Sequence, residues 1–229
     1  MPATRNVCRA LPHISTTVNR MSELLERDGV RGHLHRPTGD AVAGLVLTHG
    51  AGSDCDTKLL RAVAEGFADR GVAVLRFDLP FRQRRASGPP HPSKAAEDRE
   101  GVSAAVAVMR ELVSVPVWAG GHSYGGRQAS MLAAEHAGLV DALLLLSYPL
   151  HPPAKPEKLR TEHLPGLRTP AVVVHGSKDP FATPDEMRSA LELIPAPTTL
   201  VELEGARHDL APEKFPVVER AVTAMLDLL

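Results

Sequence analysis

A chain of 229 residues, 43% hydrophobic and 23% charged, has the make-up of a folded domain long enough to bury a sizeable core. Its formal net charge of −1 offers no basic field for nucleic acid or an anionic membrane, and its apolar runs are too short to span a bilayer. Two cysteines, Cys8 and Cys55, make neither a disulfide framework nor a CxxC zinc pair; they fit reduced thiols in a cytoplasmic protein.

Residues 1–14 lack the continuous apolar stretch of a secretory signal and are expected to be a flexible segment ahead of a single domain over 15–229. Two weak strand candidates come first, "STTVN" (15–19) and "VRGHLH" (30–35). The second alternates as an antiparallel edge hairpin with one wet face would. Six apolar runs follow, at 42–48, 72–77, 115–120, 141–147, 171–176 and 198–203. Most are nearly continuous in Val, Leu and Ala, which suits parallel strands covered on both faces. Between them lie helical stripes: Leu60, Val63, Ala64 and Phe67, then Val102, Ala105, Val106, Met109, Leu112 and Val113. Val218, Ala221, Val222, Met225 and Leu229 close the chain in the same way. The pattern predicts an eight-stranded, mostly parallel, doubly wound α/β sheet with helices on both faces. Two connections follow carboxyl ends of strands, the edge where open α/β sheets place their sites. One is basic and proline-rich (79–93); the other is an irregular excursion with six prolines (148–170).

The segment "VPVWAGGHSYGGRQAS" ends a strand in glycines and opens a helix. A bare G-x-S-x-G is weak evidence, but here Gly121-His122-Ser123-Tyr124-Gly125 sits at a strand-to-helix turn. Glycines permit close packing there, and the turn exposes the Ser123 hydroxyl. Two phosphate-loop readings compete. Gly121-(x)4-Gly126 has Walker spacing, but Arg127 and Gln128 stand where Lys and Ser/Thr are required. A dinucleotide fingerprint at Gly50 and Gly52, with Asp78 ending the next strand, has Cys55 at its third glycine position.

A nucleophilic serine needs a base, and the base needs an orienting acid. His208 is the histidine that follows the last strand. Asp141 begins its strand, at the wrong end. Asp179 follows the strand at 171–176, at the right one. Asp185 is explained otherwise: Thr183 caps, Pro184 takes the first helical position and Glu186 completes a capping box. The order Ser123, Asp179, His208 is the one this elbow demands. Its oxyanion hole would use the backbone N–H of Tyr124 and of Ala51.

Together "HGAGS", "GHSYGG", "HGSKDPF" and "GARHD" resemble the α/β-hydrolase superfamily, over residues 15–229. They look most like its small, cap-less members near the dienelactone-hydrolase and carboxylesterase branches. The resemblance implies an α/β-hydrolase fold without a separate cap domain. It also implies a serine hydrolase acting on a small ester or thioester substrate, with no cofactor or metal. Dienelactone hydrolases proper use a cysteine nucleophile, so that activity does not carry over to Ser123. Amide cleavage and perhydrolysis use the same triad, and a non-catalytic binding protein on the same scaffold is the alternative. Oligomeric state is not legible.

Other polar residues read as structure. His33 and His35 share a strand face without a third ligand, on what reads as an exposed edge. His49 and His122 belong to turns. Arg127 is expected to pair with a carboxylate. Arg82, Arg84 and Arg85 read as a solvated loop, with an anion-facing role as the minority reading.

Overall fold

The computed structural model describes residues 22–229. The strands are β1 (Glu23–Arg27), β2 (Val30–His35), β3 (Ala43–Thr48), β4 (Val72–Phe77), β5 (Val117–His122), β6 (Ala142–Leu146), β7 (Ala171–Gly176) and β8 (Thr198–Leu203). They form one sheet in the order β1-β2-β4-β3-β5-β6-β7-β8. β1 and β2 pair antiparallel, as do β2 and β4, and the remaining neighbours run parallel.

Six α-helices accompany them: α1 (Lys58–Ala68), α2 (Pro80–Arg84), α3 (Ala95–Leu112), α4 (Tyr124–Glu135), α5 (Pro184–Leu191) and α6 (Val217–Leu226). The interior strands are apolar on both faces because both faces are covered. In β3, Leu45 and Leu47 pack with α1 and α6, while Val46 packs with α3 and α4 on the other side. The α1 stripe is buried as its spacing predicts, and Thr57 caps that helix by accepting from the Leu60 N–H at 3.3 Å. Helix α6 departs slightly from expectation. Val217 is buried and Val218 only half-buried, and Leu229, beyond the helix end, is 60% exposed.

The amino-terminal hairpin is where expectation and structure part. The candidate strand at 15–19 lies outside the described residues. The strand that pairs with β2 is Glu23–Arg27, which carries no apolar alternation: Leu24 is 66% exposed. Nor is β2 an edge, because it lies between β1 and β4. His35 is therefore buried, and its Nε2 accepts from the Arg76 Nε–H at 2.9 Å. Among the described residues no group of three or more His, Cys, Asp or Glu could hold a metal ion, and no helix is long and apolar enough to cross a membrane.

Candidate active site

The parallel strands end together, and the loops that leave them converge on the turn between β5 and α4. Ser123 occupies that turn with φ 51° and ψ −115°, a conformation in which a side-chain-bearing residue is strained. Two glycines make the turn possible. A Cβ on Gly121 would stand 2.6 Å from the Thr48 carbonyl oxygen, and one on Gly125 2.6 Å from that of His49. The Ser123 N–H donates to the Leu146 carbonyl at 2.8 Å, and the Gly125 N–H to that of His49 at 3.1 Å. The elbow is thus tied to a neighbouring strand on one side and to the "HGAG" loop on the other.

Asp179 and His208 lie 56 and 85 residues beyond Ser123 along the chain, yet the three side chains form one hydrogen-bonded line. His208 Nε2 is 2.8 Å from Ser123 Oγ, and His208 Nδ1 is 2.8 Å from Asp179 Oδ2. The other carboxylate oxygen, Oδ1, accepts from the Phe181 N–H at 2.9 Å. Burial pushes the Asp179 carboxyl up, but the bond and charge of His208, with the Phe181 amide, outweigh it and hold the group below its ordinary value. The Phe181 ring lies 4.2 Å from the imidazole, centroid to centroid. Asp185 stays out of the line. Its side chain is 93% exposed and pairs with Arg188, at the foot of a helix that carries the expected Thr183/Glu186 capping box.

His122 has a task that its place in the motif did not announce. Its Nε2–H donates to the His208 carbonyl at 2.7 Å, pinning the loop that presents the imidazole. Burial first, and His208 second, push its pKa down to about 4, so it stays neutral. His35 and His163 are likewise held at about 4, chiefly by burial. A histidine whose folded value is depressed favours the unfolded chain as acid is added. Stability should therefore be fully present above about pH 6.5 and fall as pH drops towards 4, by up to about 1.4 kcal/mol per pH unit for each such histidine. Urea midpoints across that range test this, and His35→Gln should flatten the slope. A midpoint constant from pH 7 to 4.5 contradicts it.

The two expected oxyanion donors, Tyr124 and Ala51, lie at the start of α4 and in the loop that follows β3. Tyr124 is the first residue of α4, where an N–H has no intrahelical acceptor. Its hydroxyl donates to Asp98 Oδ2 at 2.7 Å, and Asp98 Oδ1 accepts from the Phe81 N–H at 3.1 Å. Asp98, fully buried, thereby joins α2, α3 and α4. Ala51 is held through Arg82, for which alone the solvated reading fails; Arg85 is exposed as expected. Arg82 is only 4% exposed and donates to the carbonyls of Ser53, Arg85, Ala51 and Gly88 at 2.8–3.3 Å. Arg84 is exposed and paired with Glu97. His49 sits beneath the loop. Its Nδ1–H donates to the Gly50 carbonyl at 2.8 Å, and its Nε2 accepts from the Leu79 N–H at 3.1 Å. Asp78 spends its oxygens on the Cys55 N–H and on Arg31, which leaves the dinucleotide reading without its acid.

The long excursion at 148–170 contains only a short 3-10 turn, Leu164–Gly166. Tyr148, Leu150, Leu164 and Leu167 are buried and join the α3/α4 core, so the segment is a packed strap and not a cap. Arg127 on α4 was expected to meet a carboxylate and does not. Its Nε is buried without a hydrogen-bond partner.

The family model for the alpha/beta hydrolase domain matches residues 41–223. Among solved structures, Est1E from Butyrivibrio proteoclasticus is similar at 19% identity and a TM-score of 0.72, covering 90% of this chain and 98% of that one. Dienelactone hydrolase from Anabaena variabilis is 22% identical with a TM-score of 0.66, over 91% of this chain and 94% of that one. An α/β serine hydrolase without a lid from Xanthomonas campestris is 16% identical with a TM-score of 0.66, over 89% and 94% of the two chains. At these identities the likeness establishes the fold, and the fold has no separate cap.

Proposed function

Because this chain belongs to the alpha/beta hydrolase domain family, we propose that it is a serine hydrolase that cleaves small carboxylic esters or thioesters through an acyl-enzyme. The observation that carries this reading is the unbroken hydrogen-bonded line from Asp179 through His208 to a serine held on a strained, glycine-flanked turn. In this mechanism His208 Nε2 takes the Ser123 proton as Oγ attacks the carbonyl carbon. The electron pair of the C=O bond moves onto oxygen, where the N–H groups of Tyr124 and Ala51 receive it. His208 then gives its proton to the departing alcohol or thiol. Water, deprotonated by the same imidazole, releases the acid and restores Ser123. Asp179 keeps the imidazole in the Nδ1–H tautomer and offsets the positive charge it gains.

Substrate size follows from the strap. With 148–170 packed onto the core, little apolar wall stands over Ser123 to bury a long acyl chain. Turnover of esters and thioesters of graded acyl length is the test, with Ser123→Ala as control. kcat/KM should be highest for short acyl groups and vanish in the control. A steady rise towards long chains contradicts the open site, and turnover retained by Ser123→Ala contradicts the reading itself.

A further inference from the structure

Arg127 stands one helical turn beyond the elbow, its backbone N–H donating to the Ser123 carbonyl at 3.0 Å. Helical side chains lean towards the helix N-terminus, the end of α4 at which Ser123 stands. The buried Nε of Arg127 has no partner, and among the described residues no carboxylate lies within 4 Å of the guanidinium; Arg84 and Arg99, by contrast, each have one. The Arg127 guanidinium meets a neutral partner, the Tyr148 hydroxyl, and the carboxylate whose charge reaches this cluster is Glu162. The Tyr148 hydroxyl donates to the Arg160 carbonyl at 2.8 Å, and burial foremost holds its pKa up at about 12. His163, bonded to Ser130 Oγ at 2.8 Å, is neutral. Glu162 is exposed and forms no ion pair here.

Another cation lies close enough to Arg127 to be repelled by it. Arg160 is half-buried and folds back so that its Nη1 donates to the Pro149 carbonyl at 3.1 Å, again with no carboxylate within 4 Å. Burial, then repulsion from Arg127, lowers its pKa. The strap that carries Arg160 also reaches the base: the His151 N–H donates to the Phe181 carbonyl at 3.1 Å, and Phe181 lies against His208. Two guanidinium groups that repel each other, one with a desolvated and unsatisfied N–H, cost stability unless an anion completes them.

We propose that Arg127 and Arg160 form an anion subsite beside Ser123, and that the substrate is an ester or thioester carrying a carboxylate or phosphate. This deepens the serine-hydrolase reading and rests on it. A helical turn advances about 5.4 Å, so the charge belongs a few bonds from the scissile carbonyl, as in the half-ester of a four- or five-carbon diacid. A guanidinium fork fits carboxylate and phosphate alike.

Binding tests the subsite without turnover. Ser123→Ala is titrated calorimetrically with monoethyl glutarate, with its neutral amide isostere ethyl 4-carbamoylbutanoate, and with ethyl 4-phosphonobutanoate. The anions should bind about 10–100-fold more tightly than the amide, with the tighter of the two naming the charged group. The preference should shrink with salt, disappear on adding Arg127→Gln, and fall on adding Arg160→Gln, with folding of each variant verified by circular dichroism. Equal binding of amide and anions, no binding of any of them, or a preference untouched by both substitutions overturns the proposal. Wild-type turnover separates the two readings. Hydrolysis of neutral esters without anion preference sinks the subsite alone, whereas anion-selective binding with no hydrolysis sinks the hydrolase and leaves the subsite standing.

Discussion

Asp179→Asn should lower kcat by roughly 10³–10⁴-fold while leaving the fold intact. The carboxylate is 5% exposed and divides its oxygens, Oδ1 to the Phe181 N–H and Oδ2 to His208 Nδ1. Asparagine can keep its oxygen on the Phe181 amide, which turns its NH₂ towards His208. Nδ1 must then accept a hydrogen bond, the ring proton moves to Nε2, and the nitrogen facing Ser123 can no longer take a proton. The negative charge that steadies the imidazolium is lost as well. Asp185→Asn is the matched control. Its carboxylate is exposed and serves a helix terminus, so kcat should hold, and stability should change by at most about 0.5 kcal/mol. Steady-state kinetics of both variants on one ester decide the matter. Equal losses, or the reverse ranking, would remove Asp179 from the role of orienting acid.

What could be read in advance and what could not divide along a physical line. The interior strands were legible because burial on both faces writes itself as continuous apolar runs; the α1 stripe was legible because burial on one face sets a period. β1 had no such mark. As an edge strand whose sequence is ELLER it turns little inward, and it exists through its pairing with β2. α2 is five residues long, too short to show a period, and is set by Pro80 at its start and by Asp98 accepting from the Phe81 N–H.

The same division runs through the site. Ser123, Asp179 and His208 each follow a strand end in a short motif, so position alone pointed to them. Arg82, Asp98 and His35 gave no local sign. Each is a polar residue whose burial depends on partners elsewhere in the chain: carbonyls of the 51–53 loop for Arg82, the Tyr124 hydroxyl for Asp98 and Arg76 for His35. A run of arginines usually means solvent. Here one of them meets enough carbonyls to be enclosed, and that depends on a loop 30 residues earlier. Arg127 is the reverse case, a charge expected to find a carboxylate and left with none within 4 Å and with its Nε buried and unbonded.

The central claim is that Ser123 is a nucleophile, and covalent capture tests it most directly. An activated phosphonate presents a tetrahedral centre that resembles attack at a carbonyl, and a serine with a base 2.8 Å away should displace its leaving group. Intact-mass spectrometry should show one adduct per chain, mapped by digestion to Ser123 among the 12 serines. His208→Ala should suppress labelling by removing the base. Ser123→Ala should remain folded and unlabelled, since alanine loses one hydroxyl and meets the same backbone conformation. A folded wild-type protein that gains no mass, or an adduct that persists in Ser123→Ala, would contradict the account.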